Sequence, residues 1–320
     1  TKRTVSAYDN DDWRIYNVAS SANTYTLTPD GAWELFASSQ TVSFVNGEAT
    51  VQITQAGSNL THQEVIDNQG RAVRLYYGDL SAGSFIPGLV EERQYEGLVG
   101  FLGITTSGNT RLCDANGVAY GEALSTSELR GVHGEAIDPA TAELDDVLLN
   151  GTILIQNTDN LRHLVIQQRL NLNYGQRIEV KYEGTFDEAT DTFTPNRYTI
   201  FHYPPDSIYT AYNVATSAET YLIIPGMDDV LFTTSKTIDY DNGNVTIQLT
   251  NEMTHVTWQQ VQDSLGRITE IYHGVLSNDG VTFIRQLVER RYYHGTLGLL
   301  GVADNSVAWI SDAQGNPLGS

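Results

Sequence analysis

A single cysteine, Cys113, stands in 320 residues. One thiol excludes an internal disulfide framework, and a reducing compartment is the easier expectation. Long apolar runs are missing as well. Nothing approaches the roughly 18 residues that a membrane-spanning helix needs, so a soluble protein with no membrane insertion is expected. Basic residues are few: 18 against 39 acidic ones, a formal charge of −21. A field of that sign repels nucleic acid and anionic membrane surfaces, which argues against both as partners, and makes any assembly sensitive to salt. Catalytic signatures are also lacking. There is no Gly-x-Ser-x-Gly elbow, no His-x-x-x-His and no Cys-x-x-Cys. His202, His255, His273 and His294 share the second half without a metal-binding spacing. The expectation is a protein without catalytic residues, metal or cofactor.

What the chain does contain is a duplication. Leu89-Val90-Glu91-Glu92-Arg93-Gln94-Tyr95-Glu96-Gly97 returns as Leu287-Val288-Glu289-Arg290-Arg291-Tyr292-Tyr293-His294-Gly295. Read as strands with alternating faces, one face carries Leu, Glu, Arg, Tyr and Gly in both copies. The other face diverges, from Glu92, Gln94 and Glu96 to Arg290, Tyr292 and His294. Around this pair, Asn17-Val18-Ala19 matches Asn213-Val214-Ala215, Asn46-Gly47 matches Asn242-Gly243, and Gly70-Arg71 matches Gly266-Arg267. Repeats decide a fold reading before anything else.

The pattern inside each copy is β. Thr50 to Thr54 and Thr246 to Thr250 alternate polar with apolar, each just after an Asn-Gly hairpin signal. Glu122 to Val132, where Ser and Thr precede Glu128, reads as a short helix, and Pro139 with the following acidic residues reads as a linker. Residues 147–156, 162–173 and 176–186 read as three strands with no counterpart in the first copy, with a turn at Tyr174-Gly175. Residues 187–195 read as a long loop, and 197–203 as a fourth strand matching residues 4–8. The resulting expectation is an all-β chain of two pseudo-symmetric, sandwich-like or barrel-like domains. Residues 1–120 form the first repeat, 121–145 a helix-containing linker, and 146–320 the second domain, with unique strands over 146–197 and the second repeat over 198–320.

Glu91 with Arg93, and Glu289 with Arg291, admit an acid/base role, but a pair kept in both copies reads better as a structural ion pair. Glu92, Glu96, Arg290, Tyr292 and His294, opposite in charge character between copies, are candidate interface residues. Asp239 to Asn244 has calcium-loop character but lacks the closing glutamate, and reads as a tight hairpin. The Gly-x-x-Gly-x-x-Gly stretches at 97–103 and 295–301 lack a following Lys-Ser/Thr, so they read as bent strands or close packing. Trp13, Trp33, Trp258 and Trp309 are expected in the core.

Two resemblances bear on function. Residues 182–187 and 197–203, with the doubled Leu-Val-Glu-x-Arg-x-Tyr-x-Gly, lie in an acidic, duplicated, nearly cysteine-free chain that opens on Thr1 as if a targeting segment had been removed. That layout resembles the diatom pyrenoid shell family. The resemblance implies a chloroplast protein at the pyrenoid periphery that assembles with itself into a sheet near a Rubisco condensate. The late-strand arginine, with an aromatic early in each copy (Trp13, Tyr209), is similar to lipocalin-like calycin barrels. That implies instead an apolar-ligand binder or a cofactor-free isomerase or cyclase, with Glu289, Arg291 and Tyr293 lining a cavity. A carbohydrate-binding module is a third expectation, from the 18 tyrosines and 4 tryptophans. The self-assembling structural role is favoured, because the first repeat carries a strand set with no partner set of its own.

Overall fold

A computed structural model describes residues 2–28, 31–56, 60–81, 83–171, 177–241, 243–277 and 282–318. The chain is all-β, as expected. Its first nine strands are β1 (Lys2–Ala7), β2 (Ser21–Leu27), β3 (Trp33–Val45), β4 (Glu48–Gln55), β5 (Thr61–Ile66), β6 (Ala72–Ser81), β7 (Ser84–Gln94), β8 (Ser107–Cys113) and β9 (Ala119–Arg130). A two-residue β10 (Leu148–Leu149) precedes β11 (Thr152–Asp159), β12 (Leu164–Asn171), β13 (Arg177–Asp187), β14 (Thr192–Tyr203) and β15 (Ser217–Leu222). Then come β16 (Val230–Asp241), β17 (Asn244–Asn251), β18 (Val256–Gln262), β19 (Ile268–Leu276), β20 (Phe283–Tyr292) and β21 (Asn305–Ile310). Among the described residues five single-turn helices interrupt them: α1 (Asp11–Arg14), α2 (Gly97–Phe101), α3 (Leu144–Val147), α4 (Ile208–Ala211) and α5 (Gly295–Leu299).

Among the described residues the strands pair antiparallel with their neighbours in sequence, except that β9 passes over β10 to pair with β11, giving one 21-stranded sheet. Tight hairpins set the register. Asn46 (φ 54) and Gly47 (φ 85) turn β3 into β4, while Asn150 (φ 51) and Gly151 (φ 75) turn β10 into β11. Both residues of each turn are left-handed, the geometry that matches strand twist and favours Asn-Gly. The third such turn rests on Asn242, which lies outside the described residues, as does the expected turn at Tyr174-Gly175.

Several expectations need correction. Residues 122–132 are not helical: β9 occupies 122–130, paired on one side with β8 and on the other with β11. Pairing on both edges outweighs a weak capping pattern, and Glu128 holds the neighbouring Arg130 instead of capping a helix. Hydrogen bonding therefore continues across the segment expected to be a linker. Residues 187–195 are no long loop either. They form a hairpin from Asp187 to Thr192, with Asp191 left-handed at φ 49 and its carboxylate on Arg130 at 2.8 Å. The glycine-rich stretches form α2 and α5. Close packing explains the central glycine of each, since a Cβ would lie 2.2 Å from the backbone of Tyr95 at Gly100 and 2.6 Å from that of Tyr293 at Gly298, whereas Gly103 and Gly295 face open space and sit at positive φ. None of the four tryptophans is fully buried, and Trp33 is exposed.

The strands of 147–186 do have counterparts. Gln63 donates its amide to Gln52 at 3.1 Å, Gln167 to Gln156 at 3.0 Å, and Gln259 to Gln248 at 3.1 Å, each pair directly opposed across two strands. A bulge at Gly78, Gly184 and Gly274 follows in the same place each time. Arg71 then lies over Tyr95, Arg177 over Tyr203 and Arg267 over Tyr293. A helix comes next in each case (α2, α4, α5), and two residues past its end Gly103, Asn213 or Gly301 is left-handed. The recurring unit is thus six strands, β4–β9 and again β11–β16, with β17–β21 repeating its first five and β1–β3 its last three. Between β9 and β11, residues 131–147 interrupt the sixth strand, and β10 resumes it.

The ribbon folds back on itself. The α4 helix meets the start of the chain, where Thr26 donates its hydroxyl to the Ala211 carbonyl at 3.3 Å. The α5 helix packs on β6 and β7, with Leu299 beside Gly88. Val99 of α2 is fully buried against Leu129, Ala142, Val147 and Ile153, the main apolar core. Much of the remaining interior is polar, with Gln156, Gln167 and Glu179 all buried.

Candidate functional site

The expected ion pairs form. Arg93 Nε donates to Glu91 Oε1 at 2.6 Å, and Arg291 Nε to Glu289 Oε1 at 2.6 Å, both half-buried. Burial works against the Arg93 charge, but the hydrogen bond and charge of Glu91 outweigh it and raise its pKa. Tyr77, pushed up to about 12 by burial and then by the Glu91 charge, faces the same carboxylate at 3.4 Å. The arrangement satisfies its charges locally. The shared tyrosines point elsewhere, Tyr95 to the Ala72 carbonyl at 3.0 Å and Tyr293 to that of Ile268 at 2.8 Å.

The divergent face is largely engaged within the chain. Arg290 donates to Glu270 at 2.7 Å and stands over the Trp309 ring. His294 Nδ1 pairs with Asp304 at 2.8 Å, and its ring is parallel to that of Tyr292. Glu92 is half-buried opposite Arg74, while Glu96 is exposed just before α2. Reversing Arg290 would thus disturb an internal pair before it reached any partner. Among the described residues, no three His, Cys, Asp or Glu side chains are grouped to hold a metal, and no helix is long and apolar enough to cross a membrane.

Two clefts missed by motif reasoning are more informative. One, ≈ 590 Å³, is lined by Tyr16, Asn17, Val18, Thr41, Phe44 and Gly47 among others. The second, ≈ 380 Å³, is lined by Tyr212, Asn213, Val214, Thr237, Tyr240 and Gly243, the matching residues of the later copy. They differ in one respect. Phe36 from β3 enters the second cleft and stacks on Tyr212 with centroids 6.5 Å apart, while Tyr212 stacks on Tyr240 at 4.5 Å. The Tyr212 hydroxyl also donates to Glu34. In the first cleft, Tyr16 lies 5.2 Å from Phe44, the same pair of positions, but Tyr16 remains 67% exposed. The signal was available in sequence: Phe36 matches Phe232 as Tyr16 matches Tyr212.

No family model matches the chain, and no curated protein matches it significantly. Among solved structures, it aligns with a post-proline cleaving enzyme from Rickettsia typhi over 86% of this chain and 57% of that one, at 9% identity and a TM-score of 0.17. The chain thus spans little more than half of that enzyme, and so low a score carries no argument.

Proposed function

We propose that the protein is a structural subunit that assembles with copies of itself into a sheet or shell. The observation that supports this reading is surface. The chain exposes 17904 Å², against about 13,000 Å² for a compact monomer of 35.3 kDa. Large apolar side chains occupy part of that excess, Ile15, Tyr16, Val45, Phe101 and Ile310 among them. Ile15 and Val45 adjoin in sequence the touching rings of Tyr16 and Phe44, and contiguous exposed apolar surface of that kind marks interaction sites. Charge opposes association between copies at −21 each, so assembly strengthens with salt or divalent cations.

The resemblance in layout to pyrenoid shell proteins adds a setting. We assign the subunit to the chloroplast, at the periphery of a pyrenoid and beside its Rubisco condensate. Negative-stain microscopy of the purified chain across salt and divalent-cation concentrations tests the assembly, and the position of a fluorescently tagged chain tests the setting. Sheets, tubes or filaments are expected. Discrete single particles under every condition would overturn the structural role, and would direct attention to a ligand in the ≈ 590 Å³ cleft.

A further inference from the structure

We infer that the cleft around Tyr16 receives Phe232 of a second copy of this chain, as the cleft around Tyr212 receives Phe36 within one copy. This rests on the self-assembly proposed above and names its contact.

The internal contact supplies the template. On one side stand Thr26, Glu34, Leu35 and Phe36 of β2 and β3. On the other stand Tyr209, Ala211 and Tyr212 around α4, with Asp239, Tyr240 and Asp241 of β16. Every one of these positions has a repeat mate. Thr26 becomes Leu222, Glu34 becomes Val230, and Leu35 and Phe36 become Leu231 and Phe232. On the receiving side Tyr209 becomes Trp13, Ala211 becomes Ile15, Asp239 becomes Ser43, Tyr240 becomes Phe44 and Asp241 becomes Val45. The backbone geometry carries over. The Glu252 amide donates to the Phe232 carbonyl at 2.9 Å as that of Ala56 does to Phe36 at 3.0 Å, and the strand bulge sits at Tyr221 as at Tyr25.

The direction of these changes is what selects the occupant. Where the contact is made inside one chain, it includes Glu34, Asp239 and Asp241. At the mates, where no ring stacks on Phe232 among the described residues, each carboxylate has become Val230, Ser43 or Val45. Ile15 is 80% exposed and Val45 62%. An ordinary solvated face drifts toward charge, whereas interface cores lose it and gain aromatic anchors. Two substitutions run the other way. Ala56 becomes Glu252 and Ile208 becomes Asp12, and since Ala56 and Ile208 line one cleft, the two carboxylates meet at the rim of the contact between copies. Their repulsion makes this contact salt-strengthened. Because the two surfaces differ, the contact is heterologous, so copies add head to tail into filaments or rings.

The test is a capped pairing by sedimentation velocity at fixed salt. Phe232→Asp keeps the cleft and loses the inserted ring, while Ile15→Glu does the reverse. Each alone is expected to assemble at least ~30-fold more weakly than the natural chain, the loss typical of a central anchor. An equimolar mixture is expected to give one-to-one dimers and nothing larger. Val230→Glu is the control on the inserted side: a glutamate sits within the internal contact at the equivalent Glu34, so this variant is expected to assemble as the natural chain does. If the natural chain forms arrays and both Phe232→Asp and Ile15→Glu do so equally, this contact is wrong while the structural role stands. If the natural chain is monomeric at every salt concentration, both fall.

Discussion

Phe36 and Tyr212 stack with ring planes 26° apart, and through them the opening strands of the chain are held to the turn after α4. Lys2 adds its ammonium 3.6 Å from the Phe36 ring centroid. Substituting Phe36→Ala removes the ring from both contacts. We expect a loss of about 2 kcal/mol, together with faster amide exchange in β2 and β3. Exchange confined to β4 and β5 instead would refute the assignment of Phe36 as the clasp.

The glutamine pairs give a graded prediction. Gln156 and Gln167 are buried, and Gln156 donates a second bond to Glu128 at 3.2 Å, whereas Gln52 and Gln63 are half-buried. Removing one partner of a buried pair strands the other at a cost of about 1–3 kcal/mol. Gln167→Ala is therefore expected to lower the urea midpoint more than Gln63→Ala. Equal shifts would show that the pairs do not act through desolvation.

The bulge glycines are expected to be nearly irreplaceable. A Cβ at Gly78, Gly184 or Gly274 would sit 2.0, 2.1 or 2.0 Å from a carbonyl oxygen of the facing strand. Backbone must move to admit it, so alanine at any one of them costs on the order of 3 kcal/mol. Denaturant unfolding of the three variants measures this, and a neutral outcome at Gly184 would remove it from the repeat.

Alkali should unfold the protein through its tyrosines. Tyr77, Tyr203 and Tyr272 are each pushed from 10.0 up to about 12, first by burial and then by Glu91, Glu179 and Glu270 respectively. The folded state binds these protons more tightly than the unfolded chain does. The stabilisation is therefore complete below about pH 10 and is lost as the pH rises toward 12. Phenolate absorbance should show a late-titrating class that coincides with loss of β-sheet dichroism. Titration of every tyrosine near 10, without unfolding, would contradict the burial.

Strand-level structure was largely legible in the sequence. The alternation in β4 and β17 and the Asn-Gly turns are local signals, and local backbone geometry answers to them. The third copy is hidden in the sequence because its apolar side chains do not match those of the other two. Residues 131–147 interrupt a strand, and the side chains over 152–187 differ from those of β4–β6. Yet Asn-Gly-x-x-x-x-Gln-x-Thr stands at 46–54, 150–158 and 242–250, and the structure shows why: the glutamine must face its opposite number. The segment 122–132 misled because a run of Ser and Thr before Glu looks like a cap when its two pairing strands are out of view. The clefts were illegible for a deeper reason. They depend on how far the ribbon curls before returning, which no short stretch encodes.

Pairing strands with their neighbours in sequence, with β9 alone reaching past β10 to β11, fixes an order of events during synthesis. Most loop closures are short, so a new strand can add to the edge just completed without waiting for the far end of the chain. The clasps come last, because Tyr212 must emerge before Phe36 is covered, and α5 before β6 and β7 gain their second layer. Until then a growing edge of unpaired amides and carbonyls stays open to any strand of suitable pattern. A ribosome-bound chain stalled before residue 212 would carry Phe36 uncovered, and so be the species most prone to capture by its siblings.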